Sequence, residues 1–361
     1  MELNKKITIN MLSSADKIEG QGVGSAYLEQ VKLVSEGAPE MFDVRINSIK
    51  KADIIHTHTV DPQNYIKMKS SKNAVVCYVH FLPDTLDGSI QLPKIAFSVF
   101  KKYVISFYKS ADYLIVVNPT FMDELEKYGI SRDKMVYIPN YVSKEEFYPK
   151  PKEECDVLRK KYEIDPDAFV VIGVGQVQMR KGVLDFIEVA KKLPEVQFVW
   201  CGGFSFGKIT DGYEELSEVV ENPPANVKFT GIVPRSEMND MYNMSDVLFM
   251  PSYNELFPMA ILEAVNLHIP LVLRDLDLYR DILFEKYERG DDNDTFAQEI
   301  EKLYNDKKSY EECQIRSKEI SEFYCKENVL QIWKDFYTKV YEEQEDGVIQ
   351  AKKRKPKEKK K

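Results

Sequence analysis

Pro251-Ser-Tyr-Asn-Glu-Leu-Phe-Pro-Met-Ala-Ile-Leu-Glu-Ala264 sets Glu255 and Glu263 eight positions apart, with Phe257-Pro258 between them and an apolar, helix-compatible run from Met259 to Leu267. Pro258 reads as the first turn of a helix, where its missing N–H costs nothing, so the free N–H groups around it face whatever lies before the helix and favour an anion there. Eight residues is slightly more than two turns, which puts Glu263 on roughly the same face as the helix entrance, one carboxylate at the mouth and one deeper. Carboxylates do not hold a phosphate, so these accept hydrogen bonds from hydroxyls. A ligand that is phosphate in the middle and hydroxyl at both ends is a nucleotide sugar.

Outward from this segment, strand and helix patterns alternate along the chain, which predicts an α/β protein with parallel sheets and helices on both faces. Strands are expected near residues 7–12, 54–57, 75–79, 114–117 and 135–138, and again near 169–174, 197–200, 227–229, 247–250 and 270–273. Between the two sets, Phe147-Tyr-Pro-Lys-Pro-Lys-Glu-Glu154 has the prolines and charges of an interdomain linker. The expected division is a first domain over 1–150, a second over 151–326, a terminal helix over 327–343 with Leu330, Trp333, Phe336, Tyr337 and Val340 at helical spacing, and a disordered basic tail over 346–361.

The 361 residues suffice for two full cores. Five cysteines without a C-x-x-C pair imply neither a disulfide framework nor a zinc site and suit a reducing cytosol. The first twelve residues read as a strand rather than a signal peptide, and no apolar run reaches membrane-spanning length. Charge is unevenly spread: residues 1–150 hold 19 basic and 18 acidic groups, 151–350 hold 23 and 40, and 351–361 hold 8 and 1. One lobe is thus suited to face something anionic while the other stays in solution. From Pro93 to Lys109 there is no acidic residue, and Lys94, Lys101, Lys102 and Lys109 fall on one helical arc opposite Phe97, Phe100, Val104 and Phe107, a pattern for an anionic bilayer surface. The acidic bulk and the lack of a recognition fold argue against nucleic acid as a partner.

Several other motifs carry chemistry. Gly173-Val-Gly175 lacks the third glycine of a dinucleotide fingerprint, because Gln178 stands there. Arg180-Lys181-Gly182 instead places two cations at a strand-to-helix turn, a diphosphate site. Gly20-Gln-Gly-Val-Gly-Ser25 opens a helix after the first strand, and Gly22 and Gly24 permit close approach of a ligand or of the other domain. His56 and His58, at one strand end, are read as pointing to opposite faces and therefore as structural. His80 ends a strand, where open α/β sheets place ligands. Asp275-Leu-Asp277 resembles a metal-binding D-x-D but follows a strand in a site that a helix N-terminus and cations neutralise, so no metal or other cofactor is expected.

These residues resemble glycosyltransferase family 4, retaining enzymes of the two-domain GT-B fold whose signature is Glu, seven residues, Glu; the resemblance runs from the first strand to about Tyr341. Residues 175–182, 200–207, the two-glutamate segment and 273–279 are similar to Gram-positive enzymes that add a second hexose to monoglucosyl-diacylglycerol. The resemblance implies two Rossmann-like domains facing across a cleft, with the terminal helix crossing back to the first. Further implied are a UDP-hexose donor on the second domain and a glycosyl-diacylglycerol acceptor on the first, at the inner face of the cell membrane. It places Lys181, Arg180, Gln176, Phe257, Pro258, Met259 and Glu263 on the donor, Gly22 and Gly24 at the cleft floor, and His80 and Glu255 near the transferred sugar. Gln176 departs from the arginine usual in the family, and Arg180 or Lys181 is then left to supply the charge. Two rivals remain at this point: a sugar-nucleotide epimerase of the same fold, and a non-catalytic membrane-binding subunit.

Overall fold

The computed structural model describes residues 5–15, 22–82, 94–205 and 207–349. Part of the glycine loop, the segment from Pro83 to Pro93 and the basic stretch after Ile349 lie outside the described residues. The strands are β1 (Ile7–Leu12), β2 (Phe42–Ile46), β3 (Ile54–Thr57), β4 (Ala74–Val79), β5 (Tyr113–Val116), β6 (Met135–Tyr137), β7 (Val170–Val174), β8 (Gln197–Cys201), β9 (Val227–Gly231), β10 (Val247–Met250), β11 (Leu271–Arg274) and β12 (Glu288–Gly290). The helices are α1 (Gly22–Gly37), α2 (Pro62–Ser70), α3 (Lys94–Lys109), α4 (Thr120–Lys127), α5 (Lys152–Lys161), α6 (Val183–Lys192), α7 (Tyr213–Glu221), α8 (Arg235–Asn243), α9 (Met259–Asn266), α10 (Asp277–Leu283), α11 (Asn293–Asn305), α12 (Lys307–Phe323) and α13 (Lys326–Glu345).

Two six-stranded sheets result, ordered β2-β1-β3-β4-β5-β6 and β12-β11-β10-β7-β8-β9, with every named strand pair parallel. The central strands β4, β5, β10 and β11 are buried along their whole length, as near-continuous Val/Ile/Leu runs require between two helical layers. In each sheet the order reverses beside the first strand, and the carboxyl ends of the strands around that point open onto the crevice where such folds take ligands.

The segment from Phe147 to Lys150 is not loose. Phe147 is buried, the Tyr148 and Lys150 backbone N–H groups donate to the Asn239 and Asn243 side chains at 3.0 and 2.6 Å, and the Lys150 ammonium pairs with Asp240. The chain is thus fastened to α8 as it enters the second sheet.

Helix α13 packs on α1 and β4 of the first sheet. Its Tyr337 hydroxyl lies 2.7 Å from His56 Nδ1 and accepts from Gln30 at 2.9 Å, and Gln344 accepts the Ala74 N–H. The tail expected to be disordered from residue 346 is ordered through Ile349: Gly347, at φ +73°, turns the chain back and Ile349 is fully buried. His56 and His58 do not face opposite ways. Residues two apart on a strand share a face, and the two ring centroids lie 4.4 Å apart. Among the described residues no helix is long and apolar enough to cross a membrane.

Candidate active site

The two-glutamate segment runs from the end of β10 into α9, all eight residues of which are buried. Pro258 is the N-cap residue, with φ −63° and ψ 132°, rather than the first helical residue. The fixed φ of proline suits the extended entry, and Met259 and Ala260 carry the first free N–H groups. Glu255 stands just before this entrance, 7% exposed.

Lys181 reaches it from the turn after β7. Gly175 lies beneath its stem, where even a Cβ would stand no closer than 3.5 Å, an ordinary contact. The Lys181 ammonium pairs with Glu255. Burial pulls the Lys181 pKa below its ordinary value, and Glu255 acts against that. Gly182, at φ +69°, is fixed by steric need, since a Cβ there would meet the Pro251 carbonyl at 2.5 Å. The cationic turn and the two-glutamate segment are therefore in direct contact. Arg180 lies beside them, its Nη1 donating to the Asn254 carbonyl at 3.2 Å. Gln176 accepts from Gln178 at 2.6 Å. Gly202, at φ +144°, lets β8 pass so close that a Cβ would sit 1.8 Å from the Gly175 oxygen, and the Trp200 indole donates to that oxygen at 3.0 Å.

Glu263 faces another way. One oxygen accepts from Arg235 Nη1 at 2.8 Å and the other from the Tyr242 hydroxyl at 2.8 Å. Neither partner was visible from the two-glutamate spacing.

The first sheet meets this segment through two asparagines at strand ends. Asn118 donates to the Leu256 and Leu278 carbonyls at 3.3 and 2.9 Å, and Asn140 donates to the Phe257 carbonyl at 2.8 Å. Asn140 also accepts from Tyr78 at 3.1 Å, and the Tyr78 ring stacks on His80 with centroids 4.3 Å apart. His80 is thereby linked through Tyr78 and Asn140 to the chain entering α9. Its Nε2 lies 3.3 Å from His58 Nδ1. Burial lowers His80 and His56 to about 3 and His58 well below its ordinary value, so the three rings are neutral near pH 7. Sequence reasoning missed Asn118 and Asn140, although polar residues at the carboxyl ends of buried parallel strands were a usable signal.

Gly22 and Gly24 lie in the first turn of α1. Asp275 and Asp277 are engaged by arginines: Arg280 reaches Asp275 at 3.1 Å and Asp277 at 3.3 Å, and Arg289 approaches Asp275 at 3.9 Å. Away from the cleft, of the four residues expected opposite the lysines of α3, Val104 and Phe107 are buried and Phe97 and Phe100 only partly so. Lys102 and Lys109 line a surface groove of about 260 Å³ with Lys69 of α2, whereas the Lys101 ammonium lies 5.1 Å from the Tyr128 ring centroid. Ile95 and Val99 on the same helix are exposed.

Two parallel-sheet domains meeting at such a site define a GT-B glycosyltransferase. Solved structures agree on the fold: Anabaena HepE in complex with UDP-glucose has a TM-score of 0.75 at 13% identity, over 92% of this chain and all of that one. Sucrose-phosphate synthase from Thermosynechococcus elongatus has 0.76 at 15%, over 93% and 99%. Residues 155–320 match the model for glycosyl transferases group 1, and residues 38–146 that for Glycosyltransferase Family 4. The alpha-galactosylglucosyldiacylglycerol synthase of Streptococcus pneumoniae is 44% identical over 337 residues, 93% of this chain and 90% of that protein. The processive diacylglycerol alpha-glucosyltransferase of Acholeplasma laidlawii is 28% identical over 80% and 85%. The chain belongs to glycosyltransferase family 4 and is an enzyme of that class.

Proposed function

We propose that the protein moves a hexose from a UDP-sugar to the sugar of monoglucosyl-diacylglycerol, with retention, making a diglycosyl-diacylglycerol at the inner face of the cell membrane. The observation that carries this reading is the Lys181–Glu255 pair at the entrance of α9, in a chain 44% identical to a synthase named for such a lipid. HepE, of the same fold, holds UDP-glucose.

In this reading the diphosphate lies on the free N–H groups of α9 and draws the Lys181 ammonium from Glu255. The released carboxylate then accepts from hexose hydroxyls, so donor binding arms the group that orients the sugar. Glu263 accepts from the ribose through lone pairs left over by Arg235 and Tyr242. Phe257, Pro258, Met259, Gln176 and Arg180 line the same wall, and Gly22 and Gly24 form the floor. His80, held neutral, gives or takes a hydrogen bond at the hexose but supplies no imidazolium. The acceptor hydroxyl attacks on the face the leaving diphosphate departs from, and a diphosphate oxygen takes its proton. Positive charge from Lys181 and the helix entrance makes a metal unnecessary. Lys94, Lys101, Lys102 and Lys109 set the first domain on anionic lipid, while the acidic second domain stays in solution.

The test is incubation with monoglucosyl-diacylglycerol and either UDP-[14C]galactose or UDP-[14C]glucose, followed by lipid separation. Label in a diglycosyl lipid from one donor supports the reading. Label in no lipid from either donor overturns it.

A further inference from the structure

Arg235 is the first residue of α8, after Pro234, where the helix dipole disfavours a cation. Carboxylates from three separate parts of the chain hold it there. Its Nη1 donates to Glu263 of α9 at 2.8 Å, its Nη2 donates to Glu29 of α1, and its Nε lies 3.6 Å from Glu146 in the connection between the domains. The guanidinium also stands 4.9 Å from the Phe147 ring centroid. Glu29 is 3% exposed and its second oxygen accepts the Ser143 N–H at 3.3 Å. Glu146 is shared with Lys32 of α1 at 2.8 Å. One guanidinium therefore joins the helix that opens at the glycine turn, the interdomain connection and the deeper glutamate of the donor wall.

We infer that Arg235 is a positioning residue that fixes the Glu263 carboxylate for the donor ribose and, through Glu29, makes donor affinity depend on how the first domain is seated. This rests on the reading that Glu263 meets the ribose. A planar guanidinium suits the task, because its prongs leave in fixed directions and hold two carboxylates at a set separation; a lysine offers one point charge.

The cluster is also the part of the donor wall that responds near neutral pH. When Glu29 is ionised, three carboxylates, Glu29, Glu146 and Glu263, face two cations, Arg235 and Lys32. Burial is the main cause that raises Glu29 to about 7, with Arg235 opposing it and Glu146 adding to it. Arg235 itself stays charged, and the Tyr242 hydroxyl facing Glu263 and the Tyr141 hydroxyl near Glu29 are both raised by burial away from neutral pH. All four histidines of the chain lie below their ordinary value, each chiefly through burial. Below pH 7 Glu29 takes a proton, the tie to Arg235 weakens, and the longer contact to Glu146 is left to link Arg235, and through it Glu263, to the first domain.

The experiment is calorimetry with UDP-glucose and UDP-galactose separately, whose diester phosphates do not titrate between pH 6 and 8, on wild type, Glu29→Gln, Arg235→Lys and Glu263→Gln. Wild type binds its donor more weakly at pH 6 than at pH 8. Glu29→Gln keeps the shape but has one acceptor oxygen for the two donors Arg235 and Ser143, and is flat across that range, at the weaker level. Arg235→Lys raises the donor Kd about tenfold, the loss of one charge-assisted contact, and raises KM more than it lowers kcat. If Glu263→Gln weakens the donor while Glu29→Gln keeps the wild-type pH dependence and Arg235→Lys keeps the wild-type Kd, the inference fails and the ribose reading survives. If Glu263→Gln binds the donor as wild type does, the ribose reading fails, and the inference with it.

Discussion

Replacing Lys181 by alanine separates two consequences of the ion pair at the α9 entrance. In the free protein Lys181 balances Glu255, whose side chain is 7% exposed against 13% for the lysine. Removing one partner of a buried pair costs about 3–5 kcal/mol when the other stays charged, and less when it takes a proton. In the donor complex the variant also lacks a charge-assisted contact to the diphosphate, about 1.5–3 kcal/mol. Because wild-type Lys181 gives up Glu255 to bind the phosphate, the lower figure applies, and the Kd for UDP rises roughly tenfold. Glu255→Gln acts in the opposite sense on UDP, since Lys181 is no longer shared: UDP binds at least as tightly as in wild type, while transfer falls because the lost contacts belong to the hexose. The double variant regains stability relative to Lys181→Ala without regaining UDP affinity. Calorimetry with UDP and urea denaturation on the three variants decide the matter. Equal UDP affinity in wild type and Lys181→Ala refutes the reasoning, as does weaker UDP binding in Glu255→Gln than in wild type.

The proposed mechanism predicts that transfer activity survives EDTA with little loss; loss that magnesium or manganese restores would return Asp275 and Asp277 to consideration as ligands despite Arg280 and Arg289. On the proposed membrane contact, replacing Lys94, Lys101, Lys102 and Lys109 by serine is expected to remove up to about 4 kcal/mol of attraction to an anionic surface, at about 1 kcal/mol each. Sedimentation with phosphatidylglycerol vesicles then falls steeply at low salt, while activity on detergent-dispersed acceptor is kept; unchanged sedimentation shows that this helix is not the contact. Acid stability follows the histidines. The unfolded chain protonates His56, His58 and His80 below about pH 6.5, whereas burial keeps them neutral in the fold, so stability is lost as pH falls from there toward 3. Glu29 acts oppositely, its contribution being present below pH 4.5 and lost as pH rises through about 7. The buried histidines are expected to dominate, so that the urea midpoint is lower at pH 4.5 than at pH 6.5, and a flat midpoint contradicts the buried neutral assignment.

The fold was legible wherever a strand is buried on both faces. Strands β4, β5, β10 and β11 announce themselves as apolar runs. The two strands not anticipated, β2 and β12, are sheet edges only partly buried, and three or five residues such as Glu288–Gly290 give no periodic signal. At the site, Lys181 and Glu255 were readable because local spacing and turn chemistry determine them. Arg235 and Glu29 were not, because 206 residues separate them and only the meeting of two domains brings them together. The histidines show the same limit differently: the pleat alone puts His56 and His58 on one face, but their packing against Tyr337 depends on a helix 281 residues later. Gly347 and Ile349, between a helix and a run of lysines, looked like the start of a tail; one left-handed glycine buries the isoleucine.

The most direct test uses purified protein, monoglucosyl-diacylglycerol in mixed micelles and the UDP-hexose it accepts, with UDP release and new lipid measured together and the new anomeric centre assigned by NMR. The account predicts one UDP released for each diglycosyl-diacylglycerol formed, an α linkage, and no donor turnover without the acceptor. Epimerised donor recovered from reactions lacking acceptor, or a β linkage in the product, would contradict it.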